Sequence, residues 1–341
     1  MQPGQDLCQQ TSKREFPAVD IAKFICALLV ITIHVKPFND FSHIPFAAVL
    51  NYGIAQYLAR IAVPFYFAAA GFFLFGKVDT AHWDSSVFKS YIFKNLRLLG
   101  LWCCLLSFVW IGHLWYMRSL VVGVLILTVL LNHKLPLKKV VILALILYVV
   151  GLIGDTYLGM LAPLRKYKLV VYVIKAFDKI GGTRNGIFMG FPLLLLGGLI
   201  RKHPIGIKPR TAFLGFVASM VALFLEALAL KLIEWPGDYN MYIFLIPAEL
   251  FLLSFVTTIK IKERPIYKKM RVAGVIIYFL HPAVDYFLSL VFRFVKYVSG
   301  IDLANSLIYC IGTIIVSSLL GFALERLSHT RKFHFVRYLY S

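Results

Sequence analysis

Long apolar runs separated by short polar connections dominate this chain. Read as helices, the runs fall at about ten positions: 17–36, 57–76, 91–110, 114–132, 138–156, 186–200, 211–231, 241–259, 272–294 and 302–325. Each holds about 15–24 residues, which suits helices crossing a hydrocarbon layer of roughly 30 Å. The third and fourth are separated only by IGHL, which implies a tight helical hairpin or a tilted span. The sixth is short and follows KIGGTRNG, so its N-terminal end is expected to be irregular and to line a cavity. The pattern predicts an all-α fold, a polytopic membrane helical bundle. Its parts are a polar N-terminal tail over 1–16, one membrane domain over 17–325 and a basic, aromatic tail over 326–341. No internal repeat or second soluble domain is visible.

Composition supports this reading. Of the 341 residues, 60% are hydrophobic and 15% charged, against an apolar share of about 45–50% in soluble domains. The net charge of +20 raises the question of a nucleic-acid partner. The basic residues, however, fall in short clusters between apolar runs, the pattern of cytoplasmic loops. No basic stripe with exposed aromatics remains for nucleic acid. Segments on the side of the N-terminus hold 23 Lys and Arg, about twice the number opposite, so both termini are cytoplasmic by the positive-inside rule. The expected location is the plasma membrane, crossed many times. The connection 157–185 goes against the trend, with six basic residues on the outer side; such a loop can attract an anionic substrate or lipid. The tail ERLSHTRKFHFVRYLYS reads as a juxtamembrane helix on anionic lipid, or as a solvated tail. Cys8, Cys26, Cys103, Cys104 and Cys310 lack the spacing of disulfides or metal ligands and read as buried thiols; no metal site is expected.

Ionisable residues inside apolar runs mark candidate chemistry, because lipid penalises them. In FPAVDIAKFICALLVITIHVKPF, Asp20, Lys23 and His34 interrupt the first span. Lys23 and His34 are eleven residues apart, a net rotation of about 20° and a rise of roughly 16 Å, so they share one face. Asp20 lies one turn below Lys23, where side chains meet. The plainer reading is that Asp20 and Lys23 snorkel at the interface and His34 ends its helix near water. On the outer side, Arg60 opens the second span, His113 and Trp115 lie in GHLWY, Arg184 and Asn185 open the sixth span, and Glu226 sits in the outer half of the seventh. Arg60 taken singly snorkels and Asn185 caps. Glu226 needs a partner, with Arg184 and Arg60 the candidates, or a proton. His281 precedes Pro282 in the ninth span. Proline frees a backbone carbonyl one turn earlier, and His281 is a candidate to satisfy it as much as a chemical group. Gly71, in AAAGFF, reads as close helix packing.

Five pieces in order carry a resemblance across nearly the whole chain: VDIAKFICALLVITIHV, RIAVPFYFAAAGFFLF, HLWYM, RNGIFMGFPLLLLGGLI and IYFLHP. Together they resemble the acyltransferase 3 family of integral membrane proteins, typically ten-helix. That resemblance implies transfer of an acyl group, usually acetyl from acetyl-CoA, onto a hydroxyl of an envelope carbohydrate. The family hallmark is an Arg, ten intervening residues and a His in the first helix. His34 matches the His, whereas Lys23 replaces the Arg and cannot make the bidentate contacts of a guanidinium. The chain also looks like the membrane moiety attached to a serine racemase in some resistance systems.

Two mechanisms follow. In an O-acyltransferase with acyl-CoA (acetyl-CoA) as co-substrate and no bound cofactor, His34 would take the acceptor's proton. Lys23 would bind an anionic part of the donor, Asp20 would orient Lys23, and Arg60, His113, Trp115, Arg184, Asn185, Glu226 and His281 would shape the acceptor pocket. In a permease for a small polar solute such as an amino acid, the same cluster would be a binding site, with Glu226 or His34 relaying protons. A catalytically silent membrane partner is the third reading.

Overall fold

A computed structural model describes residues 16–41, 43–78, 85–109, 111–204, 206–234, 236–300 and 305–341. The polar tail predicted over 1–16, with Cys8, lies outside them except for Phe16. The described residues form helices and connecting turns, with no strand among them.

Helix α1 covers Pro17–Val35 and stops at Lys36, whose left-handed backbone (φ 51°) returns its N–H to Thr32 O. Helix α2 (Pro45–Tyr52) continues through a π turn (Gly53–Tyr57) and a 3-10 turn (Leu58–Ile61) into α3 (Ala62–Phe75), making one 31-residue span. Helix α4 covers Ser86–Leu105; a 3-10 turn at Gly112–Leu114 leads into α5 (Trp115–Asn132), and α6 covers Leu137–Gly154. The connection after α6 carries a 3-10 segment, Leu158–Leu164, and helix α7, Lys168–Lys179. A π turn at Gly186–Gly190 opens α8 (Phe191–Lys202), as the irregular N-terminal end predicts. Helices α9 (Pro209–Leu232), α10 (Leu245–Thr258), α11 (Pro265–Ser299) and α12 (Ser306–Ser328) complete the bundle.

Seven of these helical stretches are long and apolar enough to cross a membrane. Helix α4, the π turn with α8, and α10 occupy the other three predicted positions, so the polytopic bundle stands. Boundaries moved where local physics outweighed hydropathy. Helix α4 starts at Ser86 and stops at Leu105, five residues short of the predicted end. Helix α11 runs 35 residues, well beyond 272–294.

Helix α10 has only 14 residues, about 21 Å of rise, and cannot span the hydrocarbon by itself. The stretch before it, 240–244, is non-helical although Asn240, Met241 and Tyr242 are buried. Such backbone survives at depth only if its polar groups are satisfied by protein. Two carboxylates do this. Asp155 accepts from the N–H groups of Asn240 (2.6 Å) and Met241 (3.0 Å), and Glu226 accepts from those of Ile243 (2.7 Å) and Phe244 (3.1 Å).

Small residues set the helix packing. A Cβ on Gly71 would lie 1.9 Å from Leu194 O, and one on Gly197 would lie 1.8 Å from Ala68 O. Helices α3 and α8 therefore approach backbone to backbone, which only glycine permits, and Gly71 has the packing role predicted for it. The C-terminal segment folds back onto protein. Residues Arg331–Leu339 form 3-10 turns, Trp102 Nε1 donates to Leu339 O (3.0 Å) and the hydroxyls of Ser328 and Tyr340 bond at 2.7 Å. The juxtamembrane α-helix expected there is replaced by this docked turn. Of the cysteines expected to be buried, Cys26 and Cys310 are, whereas Cys104 is exposed.

Candidate functional site

The C-terminal end of α1 and the irregular segments around it enclose a cavity of about 60 Å³ lined by His34, Arg60, His113, Trp115, Arg184 and Asn240, with Val30, Val63, Met189 and Tyr278 among its other walls. Each polar group arrives for a local reason. His34 is the penultimate residue of α1, held where Lys36 turns the chain away. Arg60 lies in the 3-10 turn between α2 and α3, where the switch from π to 3-10 winding re-aims one side chain in a long helix. Such irregularities inside helices cluster at functional sites. Arg60 is thus mid-helix, and does not open its span as expected. His113 is buried in the turn before α5, and Arg184 precedes the π turn of α8.

Asn240 is the hub. Its Oδ1 accepts from Arg60 Nη1 (2.5 Å) and from Arg184 Nη1 (2.7 Å). Arg60 also donates to Gln56 Oε1 through Nε (3.0 Å) and Nη2, and the Arg184 guanidinium stacks 4.7 Å from the Trp115 ring centre. Behind the hub, Asp155 accepts from Asn240 Nδ2 (2.9 Å), from two backbone N–H groups and from the Thr156 hydroxyl (2.9 Å). It fixes the Asn240 amide so that the oxygen faces both arginines. Two guanidiniums thus share a neutral acceptor, and the carboxylate hydrogen-bonded into the network sits one residue further back. The pocket favours an anion.

Three imidazoles meet beside it. The His34 and His281 rings are 5.2 Å apart and those of His113 and His281 5.5 Å. His281 Nδ1 lies 2.8 Å from Tyr278 O, the carbonyl that Pro282 leaves without a helical donor, and 3.3 Å from Ile277 O. A carbonyl only accepts, so Nδ1 carries the proton and Nε2 keeps its lone pair; among the described residues Nε2 has no hydrogen-bond partner. The role of satisfying a freed carbonyl is the one its place before proline predicts. His34 and His281 also line a second, larger cavity of about 530 Å³ with Ser107, Asp285 and Ser289.

Other predicted residues lie elsewhere. Asp20 and Lys23 share the His34 stripe but lie about 16–21 Å below it and do not line the pocket. Asp20 pairs with Arg271 of α11 at 3.6 Å, and the Lys23 ammonium rests 4.5 Å from the Phe73 ring centre. Asn185 caps its helix, its Oδ1 accepting from Ile187 N (2.9 Å) and Phe188 N (3.3 Å). Glu226, expected to pair with Arg184 or Arg60 or to hold a proton, satisfies backbone ahead of α10 and accepts from the Tyr157 hydroxyl (2.6 Å). Burial, then that hydrogen bond, holds the Tyr157 hydroxyl well above its ordinary pKa, so it stays a donor. The sequence reading missed Gln56, Asp155 and Asn240. An acid directly after GLIG and an amide directly before an apolar run were the available signals, and both look like ordinary loop residues.

The chain is similar to a serine/alanine racemase from Enterococcus gallinarum, at 31% identity over 292 residues, 77% of this chain and 40% of that protein. It is similar also to two amino-acid racemases from Enterococcus faecalis. One is 25% identical over 280 residues (74% of this chain, 37% of the relative) and the other 25% over 344 residues (90% and 46%). The chain therefore spans less than half the length of these relatives. No family model and no solved structure matches. These relatives overturn the expectation of an acyltransferase: they bear the names of amino-acid racemases, which are isomerases, and the permease alternative gains no support from them either.

Proposed function

We propose that this chain is the membrane-embedded, amino-acid-binding component of amino-acid racemase chemistry at the plasma membrane. Its pocket takes a small amino acid such as serine or alanine. The observation that carries this reading is the pair Arg60 and Arg184 converging on one neutral acceptor, Asn240, in a small cavity. A carboxylate entering there gains two guanidinium partners, the geometry such groups recognise best. The imidazoles of His34 and His113 line the same cavity and supply nitrogen acceptors suited to an ammonium group. A volume of about 60 Å³ holds a few waters and suits a short side chain. The names of the relatives supply the substrate class. Inversion at Cα is an activity of proteins more than twice as long as the matched part, so recognition is the share assigned to this chain.

The test is equilibrium binding of labelled L-serine, D-serine and L-alanine to the purified full chain in detergent, with Arg184→Ala alongside. Saturable binding lost in the variant is expected. Absence of saturable binding at millimolar amino acid would sink the proposal. Chiral chromatography of the same mixtures separates binding from inversion: D-serine formed from L-serine by this chain alone would overturn the restriction to recognition.

A further inference from the structure

Helix α7, Lys168–Lys179, plays no part in the pocket, yet it is the most strongly amphipathic segment of the outer surface. It follows Arg165, Lys166 and Tyr167, so the stretch from Arg165 to Lys179 holds five basic residues and one acid, Asp178. At 100° per residue the helix has three faces. Val170, Val171, Ile174 and Phe177 are half-buried toward the bundle. The Phe177 ring meets Phe188 edge-on at 6.1 Å, and a Cβ on Gly154 would lie 3.0 Å from it, so α7 rests on the outer ends of α6 and α8. A second face, Leu169, Tyr172, Val173, Ala176 and Ile180, is apolar and uncovered, with Leu169 74% and Tyr172 66% exposed. The third is basic: Lys168, Lys175 and Lys179 recur at intervals of seven and four, within about 40° of one another, and all three are exposed. No ion pair ties them to a carboxylate among the described residues.

An uncovered apolar stripe beside a lysine stripe is the build of a helix lying in a membrane interface. Here the same chain supplies the membrane, because α6 ends at Gly154 and α8 starts at Phe191 on either side. The basic residues that run against the positive-inside rule thereby acquire a reason. We propose that α7 lies in the outer membrane surface with Leu169, Tyr172, Val173 and Ile180 among the acyl chains and Lys168, Lys175 and Lys179 on the phosphates of anionic lipids. Gly181 and Gly182, at φ 76° and 81° with open space around both, form the turn from this helix to Thr183 and Arg184. The lipid-bound helix and the pocket arginine are therefore joined by a turn that only glycine adopts freely.

The experiment is hydrogen–deuterium exchange of the full chain in nanodiscs of phosphatidylcholine alone or with phosphatidylglycerol. Amides over 168–180 are expected to exchange more slowly in the anionic discs, by up to about a hundredfold given the attraction of roughly three lysines to the surface. The triple variant Lys168→Gln, Lys175→Gln, Lys179→Gln should lose that difference, and the triple Lys→Arg variant should keep it. These side chains are exposed, so neither variant disturbs the core. Equal exchange of the wild type in both discs overturns the proposal. So does equal protection in neutral discs supplied with inorganic phosphate, which would make the ligand a free anion.

Discussion

Asp155→Asn should disable the pocket without touching its ligand. Asp155 is buried (2% exposed) and its two oxygens accept from Asn240 N, Asn240 Nδ2, Met241 N and the Thr156 hydroxyl. An asparagine can keep one oxygen where Oδ1 stood and retain three of these donors. Its NH2 then replaces Oδ2, 2.9 Å from the Asn240 Nδ2, and donor faces donor. Flipping the Asn240 amide relieves that clash only by turning its own NH2 toward Arg60 and Arg184. Either way a buried polar contact goes unmade, at a cost of about 1–3 kcal/mol, and three charge-assisted bonds become neutral ones, each weaker by about 0.5–1 kcal/mol. The sum is about 2.5–6 kcal/mol of local order, and its lower end, expressed in binding of an anion that needs the fixed amide, corresponds to about two orders of magnitude in an equilibrium constant. Serine binding to the purified chain, measured by calorimetry, should weaken by about that factor, with the helical circular dichroism unchanged. Binding within about threefold of the wild type, at the same thermal midpoint, would refute the claim that Asp155 fixes the Asn240 amide.

Three further outcomes follow from the same geometry. Arg184→Lys keeps the charge but loses the planar fork that reaches Asn240 and stacks on Trp115, so it should bind amino acid about tenfold less tightly than wild type and more tightly than Arg184→Ala; equal affinity for Lys and Arg variants would show that charge alone matters. His281→Ala should lower stability by about 1–3 kcal/mol by stranding the Tyr278 carbonyl, and by clearly less in a Pro282→Ala background where the helical N–H is restored; thermal midpoints of the double-mutant cycle check this, and additive effects would contradict it. Gly197→Ala should cost at least about 1–3 kcal/mol by overpacking, because its Cβ would meet Ala68 O at 1.8 Å, whereas Gly100→Ala, with nothing within 4 Å, should be neutral or mildly stabilising. Size-exclusion profiles after graded heating distinguish the two.

The sequence by itself determined that this is a helical membrane bundle and roughly where its apolar helices fall. Those features follow from hydropathy and charge summed along continuous stretches, and no distant contact is needed to read them. It also placed His34, Arg60, His113, Trp115 and Arg184 at one level, and these do line one cavity. The carbonyl freed by Pro282 was legible for the same reason, since its partner is the adjacent residue. Tertiary structure alone decided what joins them. Asn240 is bonded across 180 and 56 residues to the two arginines and across 85 to Asp155, and before folding each looks like a solvated loop residue. Glu226 shows the converse. Its depth rightly marked it as needing partners, yet those are backbone N–H groups exposed by the late start of α10. A hydropathy pattern assigns a polar residue its depth; which of the groups at that depth it meets is settled only when the helices pack.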